Sequence, residues 1–279
     1  MKSFIEYINL DEALITFGNK AYPKFGQVVL LAGGAASGKS FSIKNLLGIE
    51  GNILDVDHLK TLVMKSQHLA ADIKDKTGKD VNKMNLRDPD DVGALHKIIS
   101  TTFNISGKNN AKLYTGIIAA DAERKPNLII DTTLRSVSKL ASYSRELTQI
   151  GYSKENIHIV WVVNDVHVSV ELNKNRDRVV PIEVLVDTHE GASLTMAKLL
   201  NMGDQLKQYM DGDIWISFNK IGVDSDIKKS DAGGMYITKS NYLKVKAKGK
   251  VQRSLKDLDA EFVKKVANYV PKTDTWDNQ

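Results

Sequence analysis

Gly33-Gly34-Ala35-Ala36-Ser37-Gly38-Lys39-Ser40 fits the spacing G-x-x-x-x-G-K-[ST], a combination that serves phosphate chemistry. The glycines let backbone N–H groups close around phosphate oxygens, the Lys39 ammonium neutralises the β and γ phosphates, and the Ser40 hydroxyl ligates Mg²⁺. Val28-Val29-Leu30-Leu31-Ala32 ahead of it reads as a buried strand, and Phe41 to Leu47 behind it as a helix. The expected donor site therefore comprises Gly33, Gly34, Ala35, Ala36, Ser37, Gly38, Lys39, Ser40 and Phe41, with ATP and Mg²⁺ as cofactors.

Two further strand ends carry acids. Asp55-Val56-Asp57-His58-Leu59-Lys60 places Asp57 where a strand gives way to a helix, the ligand edge of a parallel sheet. A carboxylate there takes the proton of an attacking hydroxyl, and equally serves as a helix N-cap. Asn127-Leu128-Ile129-Ile130-Asp131 delivers a second acid, followed by Thr132-Thr133-Leu134-Arg135. Asp131 suits Mg²⁺ or substrate hydroxyls, with Thr133 and Arg135 on the same cleft; here too the plain alternative is capping of the next helix by Asp131 or Thr133. Beyond a fourth strand, Arg176 and Arg178 stand two apart, a spacing that suits a segment leaving its helix. Their planar forks bind phosphate oxygens in pairs.

Apolar runs alternating with longer amphipathic segments must position these groups, which predicts a three-layer α/β/α architecture around a mainly parallel five-stranded sheet. The expected strands are Val28 to Ala32, Asn52 to Val56, Asn127 to Asp131, His158 to Val163 and Asp213 to Phe218. We expect an N-terminal extension over 1–26, a core over 27–220 with a helical insertion near 58–125 and a lid near 165–181, and a basic, β-rich extension over 221–279 ending in a helix. Helical patterns fall near 58–74, 89–103 and 111–122 in the insertion, over about 136–150, and over 255–270.

Composition narrows the classes. The chain has 279 residues, 42% of them hydrophobic, enough for one sizeable α/β core. No apolar run approaches membrane-spanning length and no export signal is evident, so a cytoplasmic location is expected, in a host cytoplasm or a virion for a phage protein. There are no cysteines, which excludes disulfides and thiol nucleophiles, and the six histidines show no metal-ligand spacing. The formal charge of +5 is local: residues 232–256 hold seven cations and no acid, leaving −2 elsewhere. That segment interleaves lysines with Tyr236, Tyr242, Leu243 and Val245, a pattern suited to nucleic acid contact and equally to a solvated edge strand.

Taken in order, the Gly33 to Ser40 loop, Asp57, Asn127 to Arg135 and the Arg176/Arg178 lid resemble the zeta-toxin family of P-loop kinases, over roughly residues 27–215. Zeta toxins carry N-L-I-I-E-G-T-L-R at the third strand; here Asp131 replaces the Glu and Thr132 the Gly. The resemblance implies a P-loop kinase fold and ATP-dependent phosphorylation of a hydroxyl, with UDP-N-acetylhexosamines as the family's substrate class and an antitoxin as partner. It implies Lys39 and Ser40 at phosphate and Mg²⁺, Asp57 as base, Asp131, Thr133 and Arg135 as substrate wall, and Arg176 and Arg178 as lid. Asp57 with Lys60 also resembles the acceptor motif of polynucleotide 5′-kinases, so a nucleic-acid hydroxyl is the alternative acceptor. A third reading is a non-catalytic, virion-associated nucleotide binder. Met1 to Ile8 resembles the leader of proteins packaged into tailed-phage heads, and Leu10-Asp11-Glu12 fits the site cut by their proteases; an amphipathic helix covering the core reads the same residues equally well.

Overall fold

In the computed structural model, which describes residues 15–18, 20, 22–229, 235–251 and 254–277, β1 (Val28–Ala32) runs inside the sheet and is buried along its whole length. The loop after it leads into α1 (Lys39–Asn45), the short edge strand β2 (Asn52–Leu54), and then α2 (Val56–Lys65), α3 (Gln67–Thr77), α4 (Pro89–Lys97) and α5 (Ile105–Ile118). β3 (Leu128–Asp131), α6 (Val137–Gln149), β4 (Ile157–Val163), α7 (Val166–Lys174), α8 (Ile182–Leu200) and β5 (Ile214–Phe218) complete the alternating part. β6 (Asp226–Lys229), β7 (Met235–Lys239), β8 (Asn241–Lys246), α9 (Ala260–Tyr269) and α10 (Asp274–Asp277) follow.

The strand order is β2-β3-β1-β4-β5-β8, and the first five strands are parallel. The expected five strands are thus joined by a sixth. β8 lies antiparallel on β5, pairing Phe218 with Asn241 and Ile216 with Leu243. The C-terminal region therefore completes the sheet, while β6 and β7 form a separate two-stranded ribbon.

Side chains alternate along each strand, so one sequence run feeds two cores. Val28, Leu30, Leu128, Ile130, Ile159 and Trp161 pack with residues of α6, α8 and α9 on one face. Val29, Leu31, Ile129, Val160 and Val162 pack on the other with Leu46, Leu47 and the N-terminal Ile15 and Phe17. That N-terminal stretch is tied down: Ile15 N–H bonds the Leu46 carbonyl at 2.8 Å, and Trp215 Nε1 bonds the Thr16 carbonyl at 3.0 Å. The leader through Glu12 lies outside the described residues.

The insertion carries its own core, in which Val63, Ile73, Val81, Leu95 and Ile99 are buried together. The helix expected over 58–74 is broken in two, because the Ser66 hydroxyl accepts the Leu69 N–H and starts a new helix. α4 likewise ends at Lys97 in a π-helical turn, Ile98–Thr102, short of the expected 103. The helix expected over 255–270 is α9, which begins at Ala260, five residues late, where Asp259 caps the Glu261 and Phe262 N–H groups. Among the described residues no helix is long and apolar enough to cross a membrane.

Candidate active site

Three elements outside the motif shape the glycine-rich loop. Gly33 has φ 140°, and a Cβ there would press on the Val162 carbonyl of β4. A Cβ on Gly34 would overlap the ring of His189, and one on Gly38, at φ 96°, would overlap the Asn219 amide. Asn219, just past β5, donates from Nδ2 to the Ser37 carbonyl at 2.9 Å and accepts from the Ser225 hydroxyl at 3.3 Å. On the other side Thr188 Oγ1 accepts the Ala35 N–H at 3.0 Å, and His189 Nε2 lies 2.9 Å from the Ala35 carbonyl. Burial pushes His189 down to about 4, and the nearby Lys39 charge adds to this against the bond to Ala35.

Lys39 donates from Nζ to the Gly33 and Gly34 carbonyls at 2.9 and 3.0 Å and lies 3.8 Å from Asp131 at the end of β3. The Ser37 hydroxyl is fully buried and has no hydrogen-bond partner. These groups open on a cleft of about 1090 Å³.

Most of the expected site residues line that cleft. Ala35, Ala36, Ser37, Gly38, Lys39 and Ser40 form one wall; Lys60, Asp131, Thr133 and Arg135 form another. Arg176 and Arg178 reach it from the loop after α7. Gly33, Gly34 and Phe41 are not part of the wall; the two glycines are instead taken up by packing behind the loop. Asp57 falls in the first turn of α2, and its side chain lies outside the described residues. Asp131 and Thr133 do not cap α6: that role belongs to Ser136, whose hydroxyl accepts the Lys139 N–H at 3.2 Å.

The loop after α7 is cross-tied at its base. Asn173, buried at the end of α7, donates to the Val180 carbonyl at 2.7 Å and accepts the Val180 N–H at 3.1 Å, closing a loop that contains both arginines. Val179 N–H bonds the Leu86 carbonyl of the insertion at 2.9 Å. Asp165 caps α7 and pairs with Lys220 at 2.8 Å; burial works to raise its pKa, but the Lys220 bond and the helix N–H groups outweigh it and hold the carboxyl below its usual range.

Sequence reasoning missed several groups. Asp55, at the end of β2, faces the cleft, as do Val92, Gly93 and His96 on α4. His96 follows Val92 by one helical turn, a spacing that also fits any exposed helix face. Thr188, His189 and Asn219 come from far along the chain, and their one local signal is polarity at positions the fold buries.

Three lysines of the basic C-terminal stretch meet acids of the same chain. Lys246, its side chain 1% exposed, pairs with Asp211 at 2.9 Å; Lys244 lies 3.5 Å from the fully buried Asp213, and Lys248 3.9 Å from Glu155. Asp213 also accepts the Gly18 and Lys248 N–H groups at 2.7 and 2.9 Å. Buried Asp224 is met by Lys265, by the Tyr269 hydroxyl at 2.8 Å and by the Asn241 amide at 3.4 Å.

No protein-family model matches the chain, and no curated protein sequence matches it. Among solved structures it is similar to the crystal structure of AvrRxo1-ORF1:-ORF2 with ATP, at 13% identity and a TM-score of 0.43, over 90% of this chain and 66% of that one. It is also similar to the PezAT chromosomal toxin-antitoxin system of Streptococcus pneumoniae, at 18% identity and a TM-score of 0.40, over 71% of this chain and 69% of that one. The chain thus spans slightly less than two thirds of the AvrRxo1 chain.

Proposed function

We propose that the chain is an ATP-dependent phosphotransferase, a zeta-toxin-like kinase that phosphorylates a hydroxyl of a small molecule such as a nucleotide sugar. The observation that carries this reading is one cleft lined by Lys39 on the glycine-rich loop, Asp131 at 3.8 Å from it, and Arg176 and Arg178 on the lid. At about 1090 Å³ the cleft exceeds the ~300–1,000 Å³ of ordinary single-ligand pockets, which leaves room for an acceptor beside the nucleotide.

The residues fit a triphosphate and its metal. Ser37 offers a buried hydroxyl with no protein partner, and Lys39 a cation set against the loop. Ser40 and Asp131 would hold Mg²⁺; among the described residues no three His, Asp or Glu cluster as a metal cage, which suits an ion held by one hydroxyl, one carboxylate and phosphate oxygens. Bound there, the ion would neutralise charge on the transferring group. Asp57 would take the proton of the acceptor hydroxyl as its oxygen bonds the γ-phosphorus and the bond to the β-phosphate oxygen breaks, leaving ADP. Lys39, Arg176 and Arg178 would hold the equatorial oxygens in place, and Lys60, Thr133 and Arg135 the acceptor. Lys244, Lys246 and Lys248, three of the seven cations of 232–256, meet acids of their own chain, which favours a small-molecule acceptor over a nucleic acid.

The test is incubation with ATP, Mg²⁺ and a small-metabolite extract supplemented with UDP-N-acetylglucosamine, reading by mass which species gains a phosphate. Lys39→Ala should cut transfer by at least about 100-fold, and Asp57→Ala by about 100-fold or more with ATP affinity kept. Full transfer in Asp57→Ala sinks the base assignment; if Asp55→Asn then loses transfer, the base is the acid that faces the cleft. An unlabelled extract with the wild type refutes the kinase reading.

A further inference from the structure

The turn of α8 that follows the lid presents Asp187, Thr188 and His189 in succession, and all three are engaged. Asp187 pairs with Arg135 on the acceptor wall. Thr188 Oγ1 donates to the Leu185 carbonyl at 2.7 Å, so its single proton is committed and a lone pair faces the Ala35 N–H at 3.0 Å. The Ala35 carbonyl can only accept, so His189 carries its proton on Nε2 and donates across 2.9 Å. Both backbone groups of one loop residue are therefore held by two adjacent side chains that are 7% and 4% exposed. The ring of His189 also occupies the space that a side chain on Gly34 would need.

This arrangement has two consequences for a bound anion. The Ala35 N–H is already satisfied inside the protein, which removes it from the donors left for phosphate. The two peptide planes on either side of the Ala35 Cα are each held by one bond, so the loop that follows, from Ala36 to Ser40, starts from a fixed orientation. α8 opens at Ile182, four residues after Arg178, so the element that pins the loop is continuous with the arginine-bearing lid.

We propose that Thr188 and His189 are positioning residues for the donor nucleotide: they hold the two peptides that meet at Ala35 so that the loop is shaped for phosphate before ATP arrives, and they register the lid helix on that loop. The inference rests on the nucleotide-binding half of the function proposed above, and its test uses Mg²⁺-ATP alone, with no acceptor.

Calorimetric titration of Mg²⁺-ATP into wild type, Thr188→Val, Thr188→Ser, His189→Ala and His189→Gln separates the outcomes. Each variant that deletes a bond to Ala35, Thr188→Val and His189→Ala, should bind about tenfold more weakly, the scale of one lost hydrogen bond that leaves a buried group unmet. Thr188→Ser and His189→Gln, which keep the acceptor and the donor, should stay within about threefold of wild type. Gly34→Ala should lose ATP affinity in the wild-type background and add no further loss in the His189→Ala background, where the ring is gone. Wild-type affinity in both deleting variants overturns the proposal, as does equal loss in Thr188→Val and Thr188→Ser. A wild-type protein that does not bind Mg²⁺-ATP overturns the nucleotide reading itself.

Discussion

Acidification from about pH 7.5 to about pH 4.5 tests how His189 is held. The histidine is 4% exposed and its pKa is pushed down to about 4 by burial, with Lys39 adding to the effect. In the unfolded chain it takes up a proton near 6.5, whereas in the folded chain it stays neutral until about 4. Its neutral burial therefore costs nothing above the unfolded value, and stability falls as the pH drops from about 6.5 toward about 4. At about 1.4 kcal/mol per pH unit, the loss accumulated by pH 4.5 comes to about 2.5 kcal/mol. His158, also buried, has its pKa lowered by desolvation against the pull of Asp213, and acts in the same direction, so the effect must be read as a difference. Urea unfolding of wild type and His189→Gln at matched pH values gives that difference. The wild type should lose about 2.5 kcal/mol more than the variant across this range, whatever their relative stability at neutral pH. Parallel pH profiles, agreeing within about 0.5 kcal/mol, would refute the reasoning, because they would mean that His189 protonates as easily folded as unfolded.

Three more outcomes follow from geometry. Gly93 lies inside α4 on the cleft wall, and a Cβ there would meet nothing within 4 Å. Gly93→Ala should raise stability by about 0.5–1 kcal/mol in thermal or urea unfolding, and a loss of stability would show that α4 needs the glycine. Gly93→Leu should keep ATP affinity within about threefold while raising the acceptor KM by about tenfold or more, and an unchanged KM would place the acceptor away from α4. Lys246 holds Asp211 at 2.9 Å and the Gly212 carbonyl at 3.0 Å from a nearly sealed position. Lys246→Met should cost about 2–4 kcal/mol, seen as a lower urea midpoint, and a cost under about 1 kcal/mol would show that water replaces the ammonium.

The central strands were legible because they are covered on both faces. Val28 to Ala32 is apolar at every position and folds as read, and the strands around Leu128, Ile159 and Ile216 follow within a residue or so. For β8 the sequence offers an edge strand among its readings but not its partner β5. Its lysines alternate with Leu243 and Val245, and nothing local indicates that Asp211 and Asp213 will draw Lys246 and Lys244 inward. The glycine-rich loop was legible because its motif is written in eight consecutive residues. Its supports were not, since Thr188, His189 and Asn219 meet it from more than 150 residues away. Separation in sequence also hid the α4 wall: Gly93 and His96, more than 50 residues from the loop, look like ordinary positions on a solvated helix until the insertion is laid against the cleft.

The sixth strand bears on how the chain is made. Synthesis runs from the N-terminus, so β5 leaves the ribosome with one edge unpaired and with Asp211, Asp213 and Asp224 still waiting for Lys246, Lys244 and Lys265. Until those lysines emerge, burying the three carboxylates is unfavourable and the open edge of β5 is exposed to other strands. A nascent chain halted just after Asp224 should therefore be prone to misassociation although its glycine-rich loop and the Asn219 that supports it are already made. Emergence of β8 and α9 is the event that lets the sheet close.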